Sequence, residues 1–259
     1  MRFFSCLLLF PLLLLGCGPS GPVVIPPAAK LEAFSPGLHK TSAEVPEVGP
    51  VKYAVRVPDN YDPAAPCPLV VLLHYGYEGS KPDPHTGGDM ISIFESGVSD
   101  WNAIVIAPDV VGGDWTSRKN EKAAIWLARS AMETYAIDKK RVMLSGFSMG
   151  GEGAWFLGSK HQDLFTAVVP VAAPPAGKDD VQWSVPVCVI HSQTDQVIPL
   201  PTAKRHFEQV KGRAAKIDFI EVQNVDHYEA PSYAPFLKQA TTWAWGEAPT
   251  EDAIPVPGG

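Results

Sequence analysis

Three features of the chain predict a doubly wound α/β fold, with a mostly parallel sheet between two helix layers. Short apolar runs alternate with amphipathic stretches, and runs such as "LVVLL", "AIVIA" and "VCVI" are apolar at every position. A strand covered by helices on both faces needs such a run, and repeated strand–helix alternation builds a parallel sheet. The 259 residues, 46% hydrophobic and 19% charged, suit one globular domain.

The strands are expected at Val51–Val57, Pro68–Leu73, Ala103–Ala107, Arg141–Ser145, Ala167–Val171, Val185–His191 and Ile217–Val222. Helices are expected at Glu121–Tyr135, Gly151–His161, Pro201–Lys211 and Tyr233–Trp243. The domain thus spans residues 51–245, preceded by a Pro-rich tether (17–50) and followed by a Pro-rich flexible tail (246–259). A net charge of −7 without a long Lys/Arg run excludes a nucleic-acid footprint. No internal repeat is present.

The first twenty residues, "MRFFSCLLLFPLLLLGCGPS", join one basic residue to a short apolar run and then small residues. That order suits an export signal and is too short for an ordinary membrane span. Leu14-Leu15-Gly16-Cys17 resembles the lipobox of bacterial lipoproteins. The resemblance implies removal of residues 1–16, lipidation of Cys17, and a membrane-anchored protein facing the periplasm or cell exterior. A plain signal peptide that happens to contain Cys17 is the simpler alternative. Cys67 and Cys188 fall on strands expected to have at least two others between them, beyond disulfide reach, so both should be free thiols.

Open parallel sheets place their sites at the carboxyl ends of the strands. There "GFSMG", residues 146–150, fits G-x-S-x-G between a strand and a helix. A sharp strand-to-helix turn strains the serine backbone and brings neighbouring segments close, so glycines are needed on either side. Ser148 would then stand at a helix N-terminus that favours a developing anion. A phosphate-binding loop would need Lys-Ser/Thr after the last Gly, where this chain has Glu152 and Ala154.

A serine nucleophile needs a base. Of seven histidines, His227 in "VQNVDHYEA" follows the last core strand and is the expected base. His74 and His191 close strands and read as loop-fixing residues; His39, His85, His161 and His206 lie in the tether, a polar loop or beside helices. Asp195, just past a buried strand in "VCVIHSQTDQVIP", is the expected acid. Asp109 is its rival, and Asp226 adjoins His227 too closely to orient the same ring. The order Ser148, Asp195, His227 is that of the α/β-hydrolases. The oxyanion donors would be the amide of Met149 and one from the loop at 74–79, with Gly76 first and Tyr75 next. Tyr75, Tyr77 and Trp115 are candidate pocket walls, with plain packing as their alternative role.

Together "RVMLSGFSMGGEGAW", "LLHYGYEGS", "VIHSQTDQVIP" and "VDHYEA" resemble serine α/β-hydrolases of the phospholipase/carboxylesterase and dienelactone-hydrolase-like group. Esterases and peptidases related to prolyl oligopeptidase are also similar. The resemblance covers roughly Val51 to Trp245 and implies Ser148 as nucleophile, His227 as base, Asp195 as acid, and neither metal nor organic cofactor. Relatives usually carry Gly directly after the His of the oxyanion loop; here Tyr75 intervenes. Little chain is left for a lid between Ser148 and Asp195, so a shallow, open site is expected. The expected activity is carboxylic ester hydrolysis on a small or polymer-borne substrate, with no nucleic acid and no obligate protein partner. A peptidase acting on short peptides and a catalytically silent binding lipoprotein are the alternatives.

Overall fold

The computed structural model describes residues 21–76, 85–174, 176 and 180–248. Among these, eight strands form one sheet: β1 (Gly37–Val45), β2 (Gly49–Val57), β3 (Cys67–Leu73), β4 (Ile104–Pro108), β5 (Ile137–Phe147), β6 (Ala167–Val171), β7 (Val187–Ser192) and β8 (Ile217–Val222). Five α-helices accompany them: α1 (Thr86–Phe94), α2 (Arg118–Thr134), α3 (Met149–Lys160), α4 (Leu200–Lys211) and α5 (Ala234–Trp245). The spatial order is β1-β2-β4-β3-β5-β6-β7-β8. The β1–β2 and β2–β4 pairs are antiparallel, and every other pair is parallel.

Period-2 alternation divides the core between two faces. Leu69, Val71 and Leu73 of β3 join Val142 and Leu144 of β5 beneath α2, α3 and α4. The intervening Val70, Leu72 and Met143 pack with α1 and α5 on the opposite face. Each central strand is therefore apolar on both sides, as its sequence run predicts. Cys67 and Cys188 are buried free thiols with β5 and β6 between their strands. Burial pushes the Cys188 thiol up to about 12.

The stretch expected to be a tether departs from that expectation over its described part. Residues 37–45 are an edge strand paired with β2 along its whole length, from Gly37↔Val57 to Val45↔Gly49. Residues 21–34 form an extended strap along α2. Arg118 donates to the Gly21 carbonyl at 2.6 Å and Trp126 Nε1 to that of Pro27 at 2.9 Å. The amides of Ala29, Leu31 and Phe34 donate to Ser130, Thr134 and the Tyr135 hydroxyl. Trp126, Ser130 and Thr134 lie four residues apart, on one face of the helix. A Pro-rich extended chain keeps its backbone groups unpaired, and here this row of side chains satisfies them. Residues 1–20, with Cys17, and residues 249–259 lie outside the described part of the chain, as does Tyr77.

Candidate active site

The site is built at the carboxyl ends of β5, β7 and β8. Ser148 ends the β5 run and caps α3, with φ 56° and ψ −119°. That left-handed backbone costs a non-glycine residue roughly 1–3 kcal/mol, so the surroundings must hold it. The Ser148 amide donates to the Val171 carbonyl at 2.9 Å, and its own carbonyl accepts from Glu152 at 3.0 Å. A Cβ at Gly146 would overlap the Gly150 carbonyl, and one at Gly150 the Leu73 carbonyl. The two outer glycines of the motif are therefore close-approach residues, set by β3 and α3 crossing the turn.

His227 lies 2.9 Å from the Ser148 hydroxyl through Nε2 and 2.8 Å from Asp195 Oδ2 through Nδ1. The other Asp195 oxygen accepts from the amides of Val197 at 2.9 Å and Ile198 at 2.7 Å. Burial alone would raise the Asp195 carboxyl; the bonds from His227, Ile198 and Val197 outweigh it and hold the group below the usual carboxylate range. An ionised Asp195 fixes the His227 tautomer, with the proton on Nδ1 and a free Nε2 lone pair facing the hydroxyl. His191 supports this loop: its Nε2 donates to the Ile198 carbonyl at 2.8 Å, and burial lowers its pKa so that it stays neutral.

The rival acidic residues are engaged elsewhere. Asp109 accepts from the amides of Gly87 at 2.6 Å and Thr86 at 3.2 Å, covering the N-terminus of α1. Asp226 accepts from the amides of Tyr228 and Glu229 in a tight turn.

The loop after β3 is held from beneath. The Val110 amide donates to His74 Nε2 at 3.1 Å, which leaves Nδ1 as the proton-bearing nitrogen, donating to the Tyr75 carbonyl at 2.7 Å. In a planar trans peptide the Gly76 N–H points opposite to that carbonyl. Gly76 sits against Met149, with Met149 Sδ 3.6 Å from where a Cβ would stand. Met149 is the first residue of α3, where amides lack an intrahelical partner. Trp115, expected as a pocket wall, is instead 1% exposed. Its Nε1 donates to the His74 carbonyl at 2.9 Å, and its ring packs edge-on to His74 and against Gly153. It braces the loop after β3 from below instead of lining the cleft.

The cleft itself has a volume of about 780 Å³ and includes Tyr75, Gly76, Ile93, Phe147, Val197 and Tyr228 around Ser148 and His227. This is ample for a small organic group. Phe147 forms its floor, with ring centroids 5.3 Å from His227 and 6.5 Å from Tyr75. Phe147, Val197 and Tyr228 were not among the pocket residues expected from sequence. Each stands within two positions of Ser148, Asp195 or His227, and that adjacency was the available signal. Among the described residues no three His, Cys, Asp or Glu side chains gather as a metal site requires.

Comparison with known proteins follows the same line. Feruloyl esterase C of Emericella nidulans is 24% identical over 184 residues, covering 65% of this chain and 64% of the relative. The chain thus spans somewhat under two thirds of that relative's length. A thermostable esterase structure superposes with a TM-score of 0.64 at 22% identity, over 80% of this chain and 62% of that one. A ferulic acid esterase structure from Anaeromyces mucronatus gives 0.60 at 21% identity, over 85% of this chain and 94% of that one. These structures share the α/β-hydrolase fold. The family model described as PET hydrolase-like matches residues 113–245, just over half of the chain and the segment that carries Ser148, Asp195 and His227, so this protein belongs to the PET hydrolase-like family.

Proposed function

We propose that the protein hydrolyses carboxylic esters through an acyl-enzyme. Ser148 attacks the ester carbonyl while His227 Nε2 takes its proton; the tetrahedral oxyanion is met by the amides of Met149 and Gly76. His227 then protonates the leaving alkoxide, and water, deprotonated by the same nitrogen, releases the acid. The observation that carries this reading is the unbroken pair of hydrogen bonds from Ser148 through His227 to Asp195. An aromatic acyl group suits the cleft, where Tyr75, Phe147 and Tyr228 offer ring faces and edges. The feruloyl esterase relative supports the same choice.

The protein would be exported and held at a membrane by lipid on Cys17. Among the described residues no helix is long and apolar enough to cross a bilayer. The test is hydrolysis of p-nitrophenyl butyrate and methyl ferulate by the purified protein, with fluorophosphonate labelling of Ser148. Both activities and the label should vanish in Ser148→Ala, a loss of at least about 10³-fold. Wild-type protein that neither turns over these esters nor takes the label overturns the reading.

A further inference from the structure

We infer that the active-site rim is the face the protein turns toward the bilayer carrying its anchor; the inference rests on lipidation of Cys17, proposed above. It starts from where the strap ends. Gly21 and Pro22 are bonded to Arg118 in the first turn of α2, at 2.6 Å and 3.4 Å. That turn follows the β4–α2 loop, whose Val110 amide and Trp115 indole are bonded to His74 at the carboxyl end of β3. The docked chain therefore leaves the domain at the same edge of the sheet that carries Ser148. Cys17 is four residues from Gly21, a reach of at most about 14 Å. So short a link keeps this edge, and not the opposite one, near the lipid.

A second observation is where the exposed apolar side chains lie. Among the described residues the exposed large hydrophobic side chains are Val24, Val111, Val197 and Tyr228. Val111 follows β4, Val197 follows β7 and Tyr228 follows β8, all at strand carboxyl ends; Val24 lies on the strap between the residues held by Arg118 and Trp126. Val111 is presented by a built loop. The fully buried Asn120 accepts from the Val111 amide at 2.7 Å and donates to the carbonyls of Gly112 and Asp114. Gly112 and Gly113, at φ 91° and 68°, supply the turn. Charge does not select the face: exposed Arg118 and Lys119 lie on it with exposed Asp226 and Glu229. The orientation comes from the tether and from apolar contact. Its consequence is a preference for esters presented at the membrane surface.

The test uses the full lipidated chain on phosphatidylcholine vesicles containing a headgroup-nitroxide lipid. A fluorophore is placed at Val111→Cys or Lys119→Cys on the rim, and at Lys139→Cys at the amino end of β5. Cys67 and Cys188 are buried and should not compete for label. Flotation with the vesicles and the mass of Cys17 report the anchor, and fluorophosphonate labelling reports folding. In floated, folded protein the two rim labels should be quenched at least threefold more than the one at Lys139→Cys. Equal quenching, or stronger quenching at position 139, overturns the orientation while leaving the anchor standing, and points the apolar rim to a polymer substrate instead. A chain that does not float, with unmodified Cys17, removes the anchor and the orientation with it.

Discussion

Two buried carboxylates in this molecule each bind a histidine, and they do opposite things. Asp195 holds His227 at 2.8 Å, and Glu121 holds His161 at 3.0 Å where α2 meets α3. Both side chains are essentially inaccessible to water. Burial alone would raise both; hydrogen bonds hold both below the usual carboxylate range. The difference is the third partner. Glu121's second oxygen takes the Lys160 ammonium, closing a structural ion pair. Asp195's second oxygen takes two backbone amides, and the far side of its histidine faces a hydroxyl and a cleft. In one pair a cation completes the arrangement, in the other a hydroxyl does.

Exchanging roles in these two pairs should separate activity from stability. Asp195→Asn should lower kcat by about 10³–10⁴-fold, because the amide no longer fixes the His227 tautomer. Its fold should persist, as judged by circular dichroism. Glu121→Gln should leave kcat on p-nitrophenyl butyrate unchanged and cost about 2 kcal/mol in urea unfolding, since it strands Lys160 and His161. The sign of its pH dependence follows from the depressed folded pKa. The stabilisation by Glu121 is present above the ordinary carboxylate value near pH 4.3 and is lost as pH falls through the lower folded value. The gap between wild type and Glu121→Gln should therefore hold from neutral pH down to the ordinary carboxylate value and narrow below it; a constant gap would make the contribution one of packing alone. The smallest effect is expected for Trp115→Phe, which removes the indole bond to His74 while keeping a ring. It should lower kcat a few-fold with KM unchanged and cost about 1 kcal/mol. A KM effect alone would return Trp115 to the substrate pocket.

The central strands were legible because both of their faces are buried, which leaves an unmistakable apolar run. β1 was not: as an edge strand it alternates Lys40, Ser42 and Glu44 with half-buried neighbours, and it follows a Pro-rich stretch. α1 was hidden by Gly87 and Gly88, poor helix formers; Gly87 is required there because a Cβ would meet the Ala107 carbonyl. Ser148, Asp195 and His227 could be read from position, since each stands past a different strand. Ile93 and Pro231 reach the cleft from elements whose sequence carries no chemistry, and only tertiary packing brings them there.

The strap along α2 also decides what counts as the folding unit. A chain begun at Val51, where the apolar pattern starts, would strip the pairing partner from β2 and uncover Trp126, Ser130 and Thr134. The bare ladder of "VKYAVRV" would then be an open template for a second copy. Cutting there would therefore replace a polar outer strand, with Lys40, Ser42 and Glu44 exposed, by a more apolar edge that favours self-association. The Pro-rich segment that looks dispensable in composition is part of the folded domain, bonded along α2 from Arg118 to Tyr135.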